Sequence, residues 1–280
     1  MLLAGRLWLL ILQNIVMNDL LESFEEQLKA ARRSPNTIRL RLYYLRRIAA
    51  HADLLAVTHD ELVAWLANPG WSKATARSAR TALVLFYQWC YESGRRADNP
   101  ARGLPEIGET PPCPHPTPEN AYSVALKASQ PRVRLMLRLA GELGMRRAEV
   151  AQVHIQDLSQ DTYGPLLCAH GKGGKDRIIP LSEGLAREIR VMCMRSGGYA
   201  FPSERGAHLS ADYVGKLVAR ALPAGWSMHS LRHRFATRCW SETHDLLSVS
   251  QLLGHASTKT TQRYVANDLR RLREVARAAA

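Results

Sequence analysis

Seven of the 14 prolines fall between Pro100 and Pro118. The run Thr110-Pro-Pro-Cys-Pro-His-Pro-Thr-Pro118 is barred from helix and central strand, because proline fixes φ and lacks the N–H that both require. It predicts an extended, rather stiff linker, and with it a chain in two parts. The 280 residues suffice for two ordinary domains, and an apolar content of 46% is ample for their cores. The expected boundaries are an N-terminal extension over 1–17, a helical domain over 18–99, a proline-rich linker over 100–117 and a second domain over 118–280.

Before the linker the signals are helical. Ile38, Leu42, Leu45 and Ile48 recur at helix spacing and make one apolar stripe, with Arg39, Arg41, Arg46 and Arg47 on the other faces. Thr58-His-Asp-Glu61 is a capping box that opens a short helix through Trp65. Ser72 caps a longer helix ending near Gly94. These elements predict a small bundle of short helices with basic faces.

After the linker the pattern is mixed. Thr117-Pro118 and Gln130-Pro131 each open a helix by the cap-then-proline rule. Leu166-Leu-Cys168 and Arg177-Ile-Ile-Pro180 flank a glycine-rich turn and read as a hairpin. Helices follow over 182–193, 210–222, 230–240 and 246–253, with a last one from about Asn267 to the end. The fold class expected is mainly α with a small antiparallel β-sheet.

Thirty-eight basic residues stand against 25 acidic ones, a formal net charge of +13. Such an excess points to a polyanionic partner, above all nucleic acid. Five scattered cysteines with no C-x-x-C pair argue against a disulfide framework and a zinc site, and suit a reducing cytoplasm. The apolar run Leu7-Trp-Leu-Leu-Ile-Leu12 is too short to span a bilayer. It is read as an extension upstream of a start at Met17, or as a loosely packed first helix. Asp157, Asp161 and Asp176 have no partners at helical spacing, so no two-metal carboxylate site is expected.

The chemistry-bearing residues concentrate late in the chain. His229-Ser-Leu-Arg232, Leu253-Gly254-His255 and Tyr264 fall within 36 residues. Upstream lie Gly144-Met-Arg146-Arg-Ala-Glu149 and Gly171-Lys172-Gly-Gly-Lys175. Arginine forks bind phosphate oxygens bidentately and can hold the extra charge of a pentavalent transition state. A tyrosine hydroxyl, with a pKa near 10, needs a base or a cationic field before it attacks. A lysine on a turn can protonate a leaving oxygen. The glycine-lysine turn lacks the G-x-x-x-x-G-K-[ST] spacing of a nucleotide loop.

This set, in this order, resembles the active site of the tyrosine recombinases, the phage integrase family, over roughly residues 20 to 270. The resemblance implies a helical core-binding (SAM-like) domain followed by a catalytic domain. It implies that Tyr264 is a nucleophile forming a covalent 3′-phosphotyrosine, and that Arg146 and Arg232 clamp the non-bridging oxygens. His255 would bond the same phosphate, His229 would be the general base and Lys172 the general acid. Arg147 and Lys175 are the rival positions for the first arginine and the lysine. No metal and no cofactor is implied. The partners implied are double-stranded DNA and three further copies of the chain, a homotetramer on two DNA sites, with accessory DNA-bending proteins possible and no membrane.

A compact integrase, a Xer-like chromosome or plasmid dimer resolvase and a transposon recombinase all fit this pattern. The rivals from other classes are a type IB topoisomerase-like enzyme and a non-catalytic DNA-binding regulator. His154, His208, His233 and His244 are read as caps or core groups. Arg234, Arg238 and Arg263 are read as solvated or DNA-backbone residues.

Overall fold

The computed structural model describes residues 2–109 (backbone alone over 2–14), 114–171, 174–204, 207–254 and 277. The chain divides into two units, Met1–Pro111 and Pro112–Ala280.

In the first unit, hydroxyl caps set the helix starts. Helix α1 (Leu2–Ala30) runs without a break across Met17 and buries Leu20, Leu21, Phe24 and Leu28. Ser34 accepts from the Thr37 N–H and Pro35 takes the first turn of α2 (Pro35–Ala49). The stripe Ile38, Leu42, Leu45 and Ile48 is buried, as its spacing predicts. At α3 (His59–Leu66) the Glu61 carboxylate accepts from the Thr58 N–H at 2.8 Å while the Thr58 hydroxyl accepts from the Glu61 N–H, which closes the predicted box. Ser72 caps α4 (Lys73–Glu92), whose Leu83, Phe86, Tyr87 and Cys90 are fully buried. Phe24 meets Phe86 edge-on at 5.3 Å. Ala101 and Leu104 join this core, so residues just after Pro100 are packed rather than free.

The second unit begins with α5 (Glu119–Ala128) and α6 (Pro131–Leu143). Thr117 does not cap α5: its hydroxyl lies 2.8 Å from that of Ser230, a buried pair, which outcompetes a cap at a solvent-facing helix end. Helix α7 (Arg147–Gln152) and a 3-10 turn (Ile155–Asp157) lead into a three-stranded antiparallel sheet, β1 (Leu158–Asp161), β2 (Gly164–Ala169) and β3 (Arg177–Pro180), in that order. The register pairs Leu158 with Leu167, and Cys168 and Ala169 with Ile178 and Arg177. Then come α8 (Glu183–Arg195), α9 (Ala211–Ala221), α10 (Met228–Thr243) and α11 (Leu246–Leu253). The fold is mainly helical with one small antiparallel sheet. Helices α6 and α10 pack together. Leu135, Met136, Leu139 and Leu231 are buried in the main core of this unit, and Phe235, Val249 and Leu253 form a satellite under α11. The expected terminal helix from Asn267 lies outside the described residues. Among the described residues no helix is long and apolar enough to cross a membrane.

Candidate active site

Helix α6 ends on Gly144, whose backbone adopts a left-handed conformation (φ 63°). There the chain turns sharply, and Arg146 becomes the cap residue of α7. Glu149, one turn on, accepts from the Arg146 backbone N–H at 2.8 Å and from its guanidinium Nη1 at 2.7 Å. Arg146 thus has both its main chain and its fork set by one buried carboxylate. Its Nη2 donates to the Gly254 carbonyl at 3.1 Å.

Arg232 approaches the same place from α10. It is 4% exposed and donates to the carbonyls of Gly144 and Leu253. Arg146 and Arg232, 86 residues apart, therefore bond carbonyls of consecutive residues at the C-terminus of α11. A third guanidinium joins them. Arg177, first residue of β3, donates from Nε to the Leu252 carbonyl at 2.6 Å and through its fork to both Glu149 oxygens at 2.7 and 2.8 Å. The unpaired carbonyls and negative dipole of a helix C-terminus favour cations there. Gly254 closes α11 at φ 61°, and a Cβ there would sit 3.0 Å from Arg177 Cδ, so glycine is favoured on two counts.

Among the described residues three guanidiniums stand against one carboxylate, an excess of positive charge. Burial alone would raise the Glu149 carboxyl, but its bonds from Arg177 and then Arg146 outweigh this and hold it below the ordinary glutamate range. The Arg146 side chain is 40% exposed and is the member of the cluster that reaches solvent. Such an array suits a phosphodiester oxygen.

His229 lies three residues before Arg232 on α10, on the same helix face. Its ring is 4.2 Å from that of His233. His233 Nδ1 accepts from the His115 N–H at 3.0 Å, and His115 stacks on Trp226 at 4.1 Å. The end of the proline-rich stretch thus braces the helix that carries His229. The structure brings Arg146 and Arg232 together at the end of α11 and carries His229 on α10 three residues before Arg232. Lys172, His255 and Tyr264 lie outside the described residues. The rival Arg147 pairs instead with Asp212 of α9 at 3.0 Å, which leaves the cluster to Arg146.

A family profile, the phage integrase family, matches residues 118–271, more than half of the chain. The chain belongs to the phage integrase family. Over nearly its whole length this integrase-family chain is similar to tyrosine recombinase XerC of Chromobacterium violaceum, 29% identical across 92% of this chain and 93% of the relative. It is likewise similar to tyrosine recombinase XerA of Pyrococcus horikoshii, 30% identical across 94% of each. Among solved structures, the XerH site-specific recombinase bound to palindromic difH substrate superposes with a TM-score of 0.69 at 23% identity, over 86% of this chain and 78% of that one. A lambda integrase dimer bound to a COC′ core site gives 0.71 at 20% identity, over 88% and 76%. At these identities the likeness is one of fold, and it is the mainly helical tyrosine-recombinase fold.

Two features of the integrase-family site escape sequence reasoning. Arg177 reads as the start of a hairpin strand, and only its pairing opposite Ala169 hints that it faces inward. Glu149 reads as part of a spacing, whereas it is the 2% exposed anchor for two arginines. One expectation is overturned. Arg234 is neither solvated nor placed to meet a DNA backbone: it is 6% exposed, donates to the Gly141 carbonyl and to Glu119, both at 2.7 Å, and lies over the Tyr122 ring at 3.9 Å. An ion pair and an aromatic face together offset the loss of water around the guanidinium.

Proposed function

We propose that this chain is a site-specific DNA recombinase that breaks and rejoins duplex DNA through Tyr264. The phenolic oxygen attacks the scissile phosphorus, an O–P bond forms, and the bond to the 5′-oxygen breaks with its electron pair. His229 takes the phenolic proton and Lys172 supplies one to the departing oxygen. Arg146 and Arg232 hold the non-bridging oxygens, and His255 bonds the same phosphate. Fixed guanidiniums supply the charge stabilisation, so no step needs a metal.

The observation that carries this reading is the convergence of Arg146 and Arg232 on consecutive carbonyls at the end of α11, one residue before His255. The relatives aligned over more than nine-tenths of both chains are tyrosine recombinases by name, which supports a DNA substrate. On this reading the first unit is the core-binding domain, and phosphate contacts dominate its affinity, which falls steeply with salt. Four copies act on two DNA sites in the cytoplasm.

The test is adduct trapping. The protein is incubated in EDTA with nicked duplexes taken from DNA flanking its gene, then denatured and resolved on a gel. A covalent protein–DNA band is expected, and Tyr264→Phe must abolish it. Persistence of that band in the Phe variant rules the mechanism out.

A further inference from the structure

The β2–β3 hairpin has two faces. One presents Arg177 to the cluster just described. On the other, Cys168 and His170 share a side because they are two residues apart along one extended segment, and Asp176 comes back opposite His170 because Ala169 pairs with Arg177. The thiol, the imidazole and the carboxylate each bring one ligand atom, and all three atoms lie within 4.8 Å of one another. His170 Nδ1 is hydrogen-bonded to Asp176 Oδ2 at 3.0 Å, so an ion replacing the shared proton would need the two atoms to part only to about 3.3 Å, the edge of a tetrahedral site.

A second, independent arrangement fits the same purpose. His170 Nε2 lies 2.9 Å from Asp157 Oδ1, and Asp157 is itself fixed by the His154 N–H, which donates to its Oδ2 at 2.8 Å. The Asp157 side chain is 10% exposed. A ligating histidine commonly gives its other ring N–H to a held carboxylate, which sets the tautomer and turns the free nitrogen toward the ion. Asp157 is placed to do that for His170, with Nδ1 left as the donor atom. The His170 and Asp176 side chains are 42% and 48% exposed, so an ion can reach the cluster and keep a water in the remaining position, while the Asp157 edge of the His170 ring lines a polar cleft of about 350 Å³ with His154, Tyr199 and His208.

We propose that Cys168, His170 and Asp176 form a binding site for a divalent transition metal of the zinc class, with Asp157 as the outer carboxylate that orients His170. Thiolate, imidazole and carboxylate are the ligand set such ions take, whereas calcium and magnesium take oxygen alone. No C-x-x-C signature announces the site because its ligands come from both arms of a hairpin. Two of the three aspartates that look scattered in the sequence, Asp157 and Asp176, meet at His170. The ion would tie His170 to Asp176 and so close a ring around residues 171–175, which include Lys172. Its role is to staple the hairpin, and it takes no part at the phosphate. On binding, the Cys168 thiol gives up its proton to solvent, and so does the imidazole when charged, so affinity rises with pH.

The test uses the full chain without DNA, so its outcome is independent of the recombinase reading. Co²⁺ alone is titrated into reduced, metal-stripped protein. One ion per chain is expected, with the visible bands of a tetrahedral ion and a thiolate-to-cobalt charge-transfer band, and Zn²⁺ should displace it. Cys168→Ser should remove the charge-transfer band, whereas Cys239→Ser should leave it. Asp157→Asn should weaken Zn²⁺ binding in calorimetry about 10- to 100-fold while keeping the thiolate band. Absence of a charge-transfer band, its survival in Cys168→Ser, its loss in Cys239→Ser, or equal Zn²⁺ affinity in Asp157→Asn would each overturn the assignment. Far-UV circular dichroism checks that each variant is folded, and Cys168→Ala repeats the measurement if Cys168→Ser is not.

Discussion

Arg177 and Glu149 meet fork to fork, Nη1 to Oε1 at 2.7 Å and Nη2 to Oε2 at 2.8 Å, with 8% and 2% of their side chains exposed. The pair ties the sheet to α7, and the remaining Arg177 nitrogen, Nε, ties both to the last turn of α11. Three elements far apart in sequence are thereby locked around one carboxylate. The lock sets where Arg146 points, because Glu149 also takes the Arg146 main chain and guanidinium.

Removing one partner of a buried, bidentate ion pair leaves the other charge without water or counter-ion, a loss of about 3–5 kcal/mol. Arg177→Ala leaves Glu149 with the Arg146 guanidinium at 2.7 Å, so the stability of the second unit is expected to fall by the lower end of that range, about 3 kcal/mol. Arg177→Lys should recover only part of it, since a single ammonium cannot bind both carboxylate oxygens and the Leu252 carbonyl in one plane. Urea unfolding of the two variants measures this, and full stability in the lysine variant would show that the fork is dispensable.

Glu149 gives the fold an acid-sensitive joint. Its folded carboxyl titrates below the ordinary glutamate value of 4.5, since its bonds from Arg177 and Arg146 outweigh the upward push of burial. The unfolded state therefore binds the proton first, and stability falls as pH drops. The contribution is fully present above the unfolded value and disappears as pH falls through the folded one. Glu149→Gln should be less stable than the parent at neutral pH, and the gap should narrow below about pH 4.5. A gap that stays constant or widens on acidification would contradict this placement of the charge.

The parts of the fold that are legible in the sequence are those set by local rules. The caps at Thr58 and Ser72 and the stripe of α2 depend on residues three or four apart, and each appears where its spacing puts it. Strand β1 is different. Leu158-Ser-Gln-Asp161 is mostly exposed and carries no alternating apolar pattern, so only its ladder to β2 makes it a strand. Helix α7 is six residues long and buries a glutamate, which defeats any periodicity test. In the site, Arg146, His229 and Arg232 can be picked out from motifs. Arg177 cannot, because its partners Glu149 and Leu252 lie 28 and 75 residues away. Arg234 misleads for the same reason: Tyr122 and Glu119, which make its burial tolerable, belong to a helix more than 100 residues upstream.

Gly144 is a second point where a small change should travel. It holds φ at 63°, and a Cβ there would lie 2.5 Å from Phe235 Cδ1 and 3.0 Å from Leu253 Cδ2. An L-residue in this left-handed conformation costs about 1–2 kcal/mol, and overpacking against a buried ring adds about 1–3 kcal/mol. Gly144→Ala should therefore lower the melting temperature clearly and displace α6 from α11, weakening the bond from Arg232 to the Gly144 carbonyl. Differential scanning calorimetry tests the first effect, and an alanine variant as stable as the parent would refute the packing argument.

The two arginines of the motif should fail in different ways. Arg146 has a partly exposed fork, and without it Glu149 keeps both bonds from Arg177, so its loss should cost about 1 kcal/mol, one hydrogen bond to a carboxylate that stays paired. Arg232 is buried and donates from its fork to the carbonyls of Gly144 and Leu253. Its removal leaves two buried acceptors unpaired at about 1–3 kcal/mol each. Both Arg146→Ala and Arg232→Ala should slow covalent adduct formation on the order of 10²-fold or more. Only Arg232→Ala should also shift the unfolding midpoint strongly. Adduct assays and urea titrations run on the same preparations separate the cases. An Arg146→Ala protein that is as unstable as Arg232→Ala would mean that its bonds to Glu149 and Gly254 serve the fold before they serve the phosphate.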